Sequence, residues 1–188
     1  MRSIWNRSRH VCGGDIEWQP AGHAARRCAR KYASDRRRVP LGPIGRASGS
    51  SDDARDRRPY AAYDTVTTAV STRQDGDALA RLEVRIDDIR NSFDQLRQVI
   101  SQLADAADEP VAADCAAADG RAVGWAEAPQ GEVLYDVSIE GGRISRCRSR
   151  SASFHNLVLM HEVFAGDILT DFPFIEASFG LSVAGAAT

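Results

Sequence analysis

Residues 124–156 read GWAEAPQGEVLYDVSIEGGRISRCRSRSASFHN, and most of the fold can be argued outward from them. Val133, Tyr135, Val137 and Ile139 alternate with polar or smaller neighbours, the two-residue period of a strand with one apolar face. Glu140-Gly141-Gly142 follows, and a glycine pair supplies the positive φ that a tight hairpin turn needs. Residues 132–139 and 143–148 are therefore expected to pair as one β-hairpin. Glu127 is placed on a loop ahead of it.

Downstream, Asn156 to Phe164 is expected to form a short helix. After the break at Asp171-Phe172-Pro173, a second short helix or coil runs from Ile175 to Val183. Upstream, residues 104–123 are rich in Ala and Asp, contain Pro110, and read as a linker.

The clearest element lies further upstream, from Ala78 to Leu103. Leu79, Leu82, Ile86, Ile89, Phe93, Leu96, Ile100 and Leu103 recur at alternating spacings of three and four. At a rise of about 1.5 Å per residue they form one apolar stripe roughly 36 Å long. Arg81, Glu83, Arg85, Asp87, Asp88, Arg90 and Arg97 occupy the other faces. Such a stripe is expected to bury itself against another helix, in this chain or in a partner, with core packing the first reading. Asp75-Gly76-Asp77 supplies the turn and the cap before it. Residues 65–72, with Val66 and Val70 among threonines, read as a strand.

Residues 40–64, PLGPIGRASGSSDDARDRRPYAAYD, are punctuated by Gly42-Pro43 and Gly45, which forbid a long regular element. Ser48, Ser50, Ser51, Asp52 and Asp53 offer several N-caps, and Pro59 ends the turn that follows. The charges between Asp52 and Arg58 are expected to pair with one another in a solvated turn of little energetic weight.

Residues 1–38 differ from the rest: no Leu, no Phe, two of the three Trp, and the run Arg36-Arg37-Arg38. No period persists through them, so they are expected to be a poorly ordered Arg-rich arm outside the fold. Residues 39–188 make the one domain.

Charge is unevenly spread. Residues 1–60 hold 14 Lys/Arg and 6 Asp/Glu, the remainder 10 and 20, for a net of −2. Lys31 is the sole lysine, which fits a GC-rich coding bias better than a chosen chemistry, and the acidic residues in the arm weaken a nucleic-acid reading. An apolar fraction of 43% allows an ordinary core. No stretch reaches membrane-span length, and Arg2, Arg7 and Arg9 interrupt any signal core. Cys12, Cys28, Cys115 and Cys147 form no CxxC half-site and are expected to be free, partly buried thiols. No metal site and no catalytic residue is read from the pattern.

The stretch 124–156 resembles a segment of the large subunit shared by energy-converting nickel–iron hydrogenases and NADH:quinone oxidoreductases. The match rests on Glu127, Ala128, Pro129, Gly131, Glu132, Arg146, Cys147, Arg148, Ser153 and Phe154. GPIGRASG (42–49), Arg55, Pro59-Tyr60, Tyr63-Asp64 and Gly76-Asp77 leading into Arg81 match less specifically. The tail DFPFIEASFGLSVAG (171–185) is similar to the close of that subunit in membrane-bound hydrogenases, the formate hydrogenlyase type included.

The resemblance covers residues 40–188 and implies an α+β, mainly helical fold present as an incomplete copy, the C-terminal part. It implies a redox subunit on the cytoplasmic side, peripheral on the inner face of the membrane, with an iron–sulfur small subunit as partner. The family uses either a nickel–iron centre held by two CxxC pairs or a quinone beside an iron–sulfur cluster in a neighbour. This chain matches neither constellation, so it is expected to bind no cofactor alone and to transfer electrons only within an assembly. Arg9-His10-Val11-Cys12-Gly13 has the wrong spacing for a hydrogenase thiol pair. Gln130, Ala152 and Ala186-Ala187 depart from the family pattern.

By the same resemblance Arg46, Arg55, Glu127 and His155 are candidates for the wall of the cofactor cavity. The bland readings are an ion pair of the arginines with Asp52 or Asp53 and a cap or salt bridge for Glu127. His155 and His161 are ordinary surface or hydrogen-bonded histidines on that view. Ser153 and Phe154 are expected to anchor the hairpin. A second class of function remains open: an interaction module docking through the helix at 78–103, with the basic arm touching acidic partners or nucleic acid.

Overall fold

The computed structural model describes residues 39–103, 119–163 and 169–187. The expectations for residues 1–38, for Cys12, Cys28 and Cys115, and for most of the linker fall outside these. The element order is α1 (Gly42–Ala47), α2 (Ala54–Arg57), a 3-10 turn (Ala61–Asp64), α3 (Ala78–Leu103), β1 (Gly120–Ala128), β2 (Gly131–Glu140) and β3 (Arg143–Arg150). Then come α4 (Ala152–Val163), a 3-10 turn (Leu169–Asp171), α5 (Phe172–Phe179) and α6 (Val183–Ala186). The expected α+β, mainly helical class holds.

The hairpin forms about Gly141 and Gly142, at φ 59° and 71°, and it gains a third strand. The sheet is an antiparallel meander, β1-β2-β3, in which Glu127 faces Glu132 and Val137 faces Cys147. Residues 120–123, expected to be linker, open β1 instead. Small, weakly patterned residues such as Gly120, Ala122 and Gly124 hide a strand whose hydrogen bonds come from its neighbour rather than from its own apolar period.

Residues 65–72 do not form a strand. Their backbone is matched by amides of α3: Thr67 N–H donates to Gln98 Oε1 at 3.0 Å. Asn91 Nδ2 donates to the Ala69 carbonyl at 2.8 Å, and Gln102 Nε2 to that of Thr65 at 3.3 Å. With side chains as partners, the segment needs no neighbouring strand.

The helix expected at 78–103 has the expected bounds. Asp77 caps it, accepting from Ala80 N–H at 2.8 Å. Within the described residues the core-packing reading of the stripe does not hold. Ala80, Arg81, Val84 and Gln95 are buried, while the apolar stripe is 40% to 68% exposed along its whole length. Small side chains decide this: Ala80 and Val84 meet Ala47 of α1 in one buried cluster. The guanidinium of Arg81 reaches Ser178 Oγ of α5, at 2.8 Å from Nη2, and stacks over the Phe179 ring.

The main core lies between α1, α4 and α5, where Ile44, Leu159, Val163, Ile175 and Phe179 are buried together. Helix α4 starts earlier than expected, at Ala152, and Asn156, fully buried, pairs with both backbone groups of Leu41 (3.0 and 3.1 Å). Arg85 closes the C-terminus of α5 through the carbonyls of Ser178 and Phe179 at 2.6 and 2.7 Å.

One close approach positions everything that follows. At Gly42 (φ +60°) a side chain would stand 2.4 Å from the Gln130 carbonyl, and at Gly131 (φ +123°) 2.8 Å from Gly42 N. Two glycines thus let α1 sit directly on the β1–β2 turn, which brings Arg46 and Glu127 into one region.

Candidate functional site

Arg46 projects from α1 and is 2% exposed. It grips Asp88 of α3 through two hydrogen bonds of 2.6 and 2.8 Å, and its Nη1 lies 3.7 Å from Asp53. Asp53, 1% exposed, caps α2 through Arg55 N–H at 3.0 Å and accepts the Arg55 guanidinium at 2.9 and 2.7 Å. Asp53 therefore sits between two arginines, inside the protein rather than in a solvated turn. The solvated reading fits Arg57, which pairs with Asp52 at 2.8 Å with both side chains largely exposed.

Glu127 stands at the end of β1, not on a loop. Its Oε2 accepts from Ala54 N–H at 3.1 Å, adding a second cap to α2. Its Oε1 is closed off from solvent and has no hydrogen-bond partner, as is Nε of Arg46. The strand end is clamped: Glu127 N–H donates to the Tyr60 hydroxyl at 2.8 Å, Trp125 Nε1 donates to the Arg58 carbonyl at 3.1 Å, and the Arg58 guanidinium covers the Trp125 ring.

Arg46 and Arg55 flank Asp53, Arg46 also pairs with Asp88, and the charge of Arg85 acts on Asp88 and Arg46. Burial, then the charge of Asp53, push the Glu127 carboxyl up to about 7, against the Ala54 N–H and the two arginines. Burial opposes ionisation of Asp53 too, but the Arg55 side chain, its backbone N–H and Arg46 outweigh it and hold that carboxyl below its usual range. The hydrogen bond to Asp53 in turn fixes Arg55 in its charged form. Two carboxylates within one arginine-rich cluster thus have opposite shifts, the pattern that separates a fixed counter-ion from a group able to exchange a proton.

Three of the four candidate residues, Arg46, Arg55 and Glu127, come together here. His155 is engaged elsewhere: its Nε2 lies 2.9 Å from the Val39 carbonyl and its Nδ1 3.4 Å from Arg150. Burial, then the Arg150 charge, lower its pKa, against the Val39 contact. The ring thus pins the chain ahead of α1. The His161 side chain lies outside the described residues. Ser153 is buried and accepts from Ser182 N–H at 3.0 Å, tying α4 to the tail, while Phe154 is 49% exposed. Sequence reasoning named Asp53 as an N-cap and as an ion-pair partner of the arginines, as found, but missed Asp88, the distant partner of Arg46. A serial separation of 42 residues between Arg46 and Asp88 leaves no local signal.

Cys147, the one described thiol, is exposed on the edge strand β3 rather than partly buried, and among the described residues no three metal-ligating side chains converge. Arg46 and Arg55 are likewise engaged by carboxylates.

Residues 38–116 and 109–187 match the family model described as the respiratory-chain NADH dehydrogenase, 49 kDa subunit. The chain belongs to that family. It is 34% identical over 137 residues to an NADH-quinone oxidoreductase subunit of Streptomyces coelicolor, covering 69% of this chain and 36% of the relative. It is 30% identical over 141 residues to the carbon monoxide-induced hydrogenase of Rhodospirillum rubrum, covering 72% and 37%. The 49 kDa-family chain therefore spans little more than a third of the length of these curated relatives. In fold it is similar to a chain of the membrane-bound sulfane sulfur reductase, an archaeal respiratory membrane complex. The TM-score is 0.72 at 23% identity, over 80% of this chain and 43% of that one. No described helix of this chain is long and apolar enough to cross a membrane.

Proposed function

We propose that this chain serves as part of the large subunit of a membrane-associated redox complex of the NADH-quinone oxidoreductase or hydrogenase type, where Glu127 takes up and releases a proton in the cavity wall. One observation carries the proposal: a closed-off carboxyl oxygen with no partner, on a buried glutamate beside the charge of Asp53. Arg46, Asp53, Arg55 and Asp88 hold the site rigid and set the charge that Glu127 senses. A positive charge added beside it favours the carboxylate, and a negative one favours the acid. Such a group compensates charge when electrons pass nearby.

The electron-carrying groups, a quinone or a nickel–iron centre with an iron–sulfur cluster, belong to the rest of the assembly. The tail at 171–185 supports the hydrogenase branch, the formate hydrogenlyase type included. Affinity isolation of the chain from detergent-solubilised membranes of its source cell tests the assembly. Iron–sulfur signals in electron paramagnetic resonance are expected to co-purify with it. Recovery of the chain alone and iron-free from the aqueous fraction contradicts the proposal.

A second reading, an interaction module, is favoured by the exposed stripe of α3. It needs no redox partner and predicts a self-associating, iron-free protein.

A further inference from the structure

Arg81, Arg85 and Asp88 follow one another along one side of α3, at helical spacings where neighbouring side chains reach one another. Arg85 gives both end nitrogens to the close of α5, Nη1 to the Ser178 carbonyl at 2.6 Å and Nη2 to that of Phe179 at 2.7 Å. The last carbonyls of a helix have no partner within it and attract a cation. Gly180 makes the room: it ends α5 at φ +57°, and a side chain there would stand 2.6 Å from Arg85 Nη2. Further along α3, Asp88 gives both carboxyl oxygens to Arg46 at 2.6 and 2.8 Å. Arg46 is 2% exposed, so its charge must be met by its neighbours rather than by water. Those are Asp88 and, at 3.7 Å, Asp53, whose charge Glu127 feels. Burial lowers the pKa of Arg85, Asp88 raises it and Arg46 lowers it, so these three charges act on one another.

We propose that Arg85 is a positioning residue that switches between two partners, the carbonyls ending α5 and Asp88, and so couples that terminus to the proton on Glu127. The two partners exclude each other. A guanidinium turned to Asp88 leaves Ser178 and Phe179, and an Asp88 shared with Arg85 holds Arg46 less. With Arg85 on α5, Asp88 takes the charge of Arg46. With Arg85 on Asp88, that charge falls on Asp53 and Glu127 and favours the Glu127 carboxylate. The coupling is reciprocal: loss of the Glu127 proton draws Arg46 from Asp88, and Arg85 from α5. This rests on the proton role given to Glu127 above. Of the other groups about that carboxyl, Arg55 is fixed on Asp53, and the Tyr60 hydroxyl on Glu127 N–H. Glu132, opposite Glu127 on β2, is fixed on Arg57 and Arg58. Arg46 is therefore the cation that joins α3 to this site.

Gly180→Ala in the full chain tests it. The added methyl displaces the flexible end of Arg85, while Arg81 on Ser178 Oγ and the buried Ile175 and Phe179 keep α5 in place. Carbon-13 titration is expected to show the Glu127 midpoint lowered by about one pH unit. Arg85→Met puts no cation on Asp88 and is expected not to lower it. Adding Gly180→Ala to Arg85→Met is expected to change nothing further. Nitrogen-15 signals of the Arg46 guanidinium read the partner change itself, and are expected to shift in Gly180→Ala only while Arg85 is present. A Glu127 midpoint that stays near 7 in Gly180→Ala, or falls as far without Arg85, overturns the coupling. Unmoved Arg46 signals overturn the switch whatever Glu127 does. Should the parent Glu127 titrate below about pH 5 while the Arg46 signals shift, the proton role of Glu127 fails and the switch stands.

Discussion

Glu127 accepts a hydrogen bond from the backbone N–H of Ala54 at 3.1 Å through one carboxyl oxygen and makes none through the other. The first bond holds the strand end against α2. In the proposed role, the second oxygen carries the exchangeable proton. Both follow from the same placement, since a carboxylate beside Asp53 with one oxygen unsolvated is poorly tolerated as an anion.

The pH dependence of stability carries a sign. The folded Glu127 carboxyl keeps its proton up to about pH 7, against an ordinary value of 4.5. Its contribution is full below pH 4.5 and is lost as pH rises through 7. Asp53 acts oppositely, its contribution present above 3.8 and lost as pH falls through its depressed value. His155, lowered from 6.5, also favours the folded state at higher pH. Subtracting the Glu127→Gln profile from that of the parent isolates the Glu127 contribution. Urea denaturation is expected to show the parent losing up to about 3 kcal/mol relative to the variant between about pH 5 and pH 8.

Breaking the cluster from the other side costs more than restoring it approximately. Arg46→Met leaves Asp88 and Asp53 facing each other without their shared cation, and is expected to destabilise by about 3–5 kcal/mol. Arg46→Lys keeps the charge and loses the two-pronged contact, so it should lie between. Denaturation midpoints of the three proteins give the order.

Gly42→Ala and Gly131→Ala each place a methyl against backbone and in a positive-φ conformation. Each is expected to cost more than about 2 kcal/mol. Because the contact positions Arg46 against the strand bearing Glu127, either variant is also expected to lower the Glu127 midpoint towards an ordinary carboxyl value, as seen by infrared absorption.

Asn156 offers a cleaner control. Asn156→Ala leaves the N–H and carbonyl of Leu41 unpaired in a part-buried site, at a cost of about 1–3 kcal/mol. It is expected to leave the Glu127 midpoint unchanged, which the same infrared titration checks.

Periodicity made the long helix and the hairpin legible, because the spacing of Leu79 to Leu103 and of Val133 to Ile139 is a local property. It could not say which face of α3 is buried. The apolar stripe drew the inference, yet Ala80 and Val84 decide the packing by letting α1 approach. The first strand escaped because Gly120 to Gly124 have no apolar period of their own, and residues 65–72 were misread because helix amides, not a strand, match their backbone. Of the site, Arg46, Arg55 and Glu127 were legible through their motif context. Asp88 was not, since only the fold brings it to Arg46, and His155 proved to be engaged by Val39 and Arg150.

The central claim is that Glu127 exchanges a proton near neutrality. Carbon-13 labelling of the glutamate carboxyls and titration by nuclear magnetic resonance tests it most directly. One carboxyl signal is expected to titrate with a midpoint near 7 and to be missing from Glu127→Gln. If every glutamate carboxyl titrates below about pH 5, as ordinary ones do, Glu127 is a fixed structural cap and exchanges no proton near neutrality.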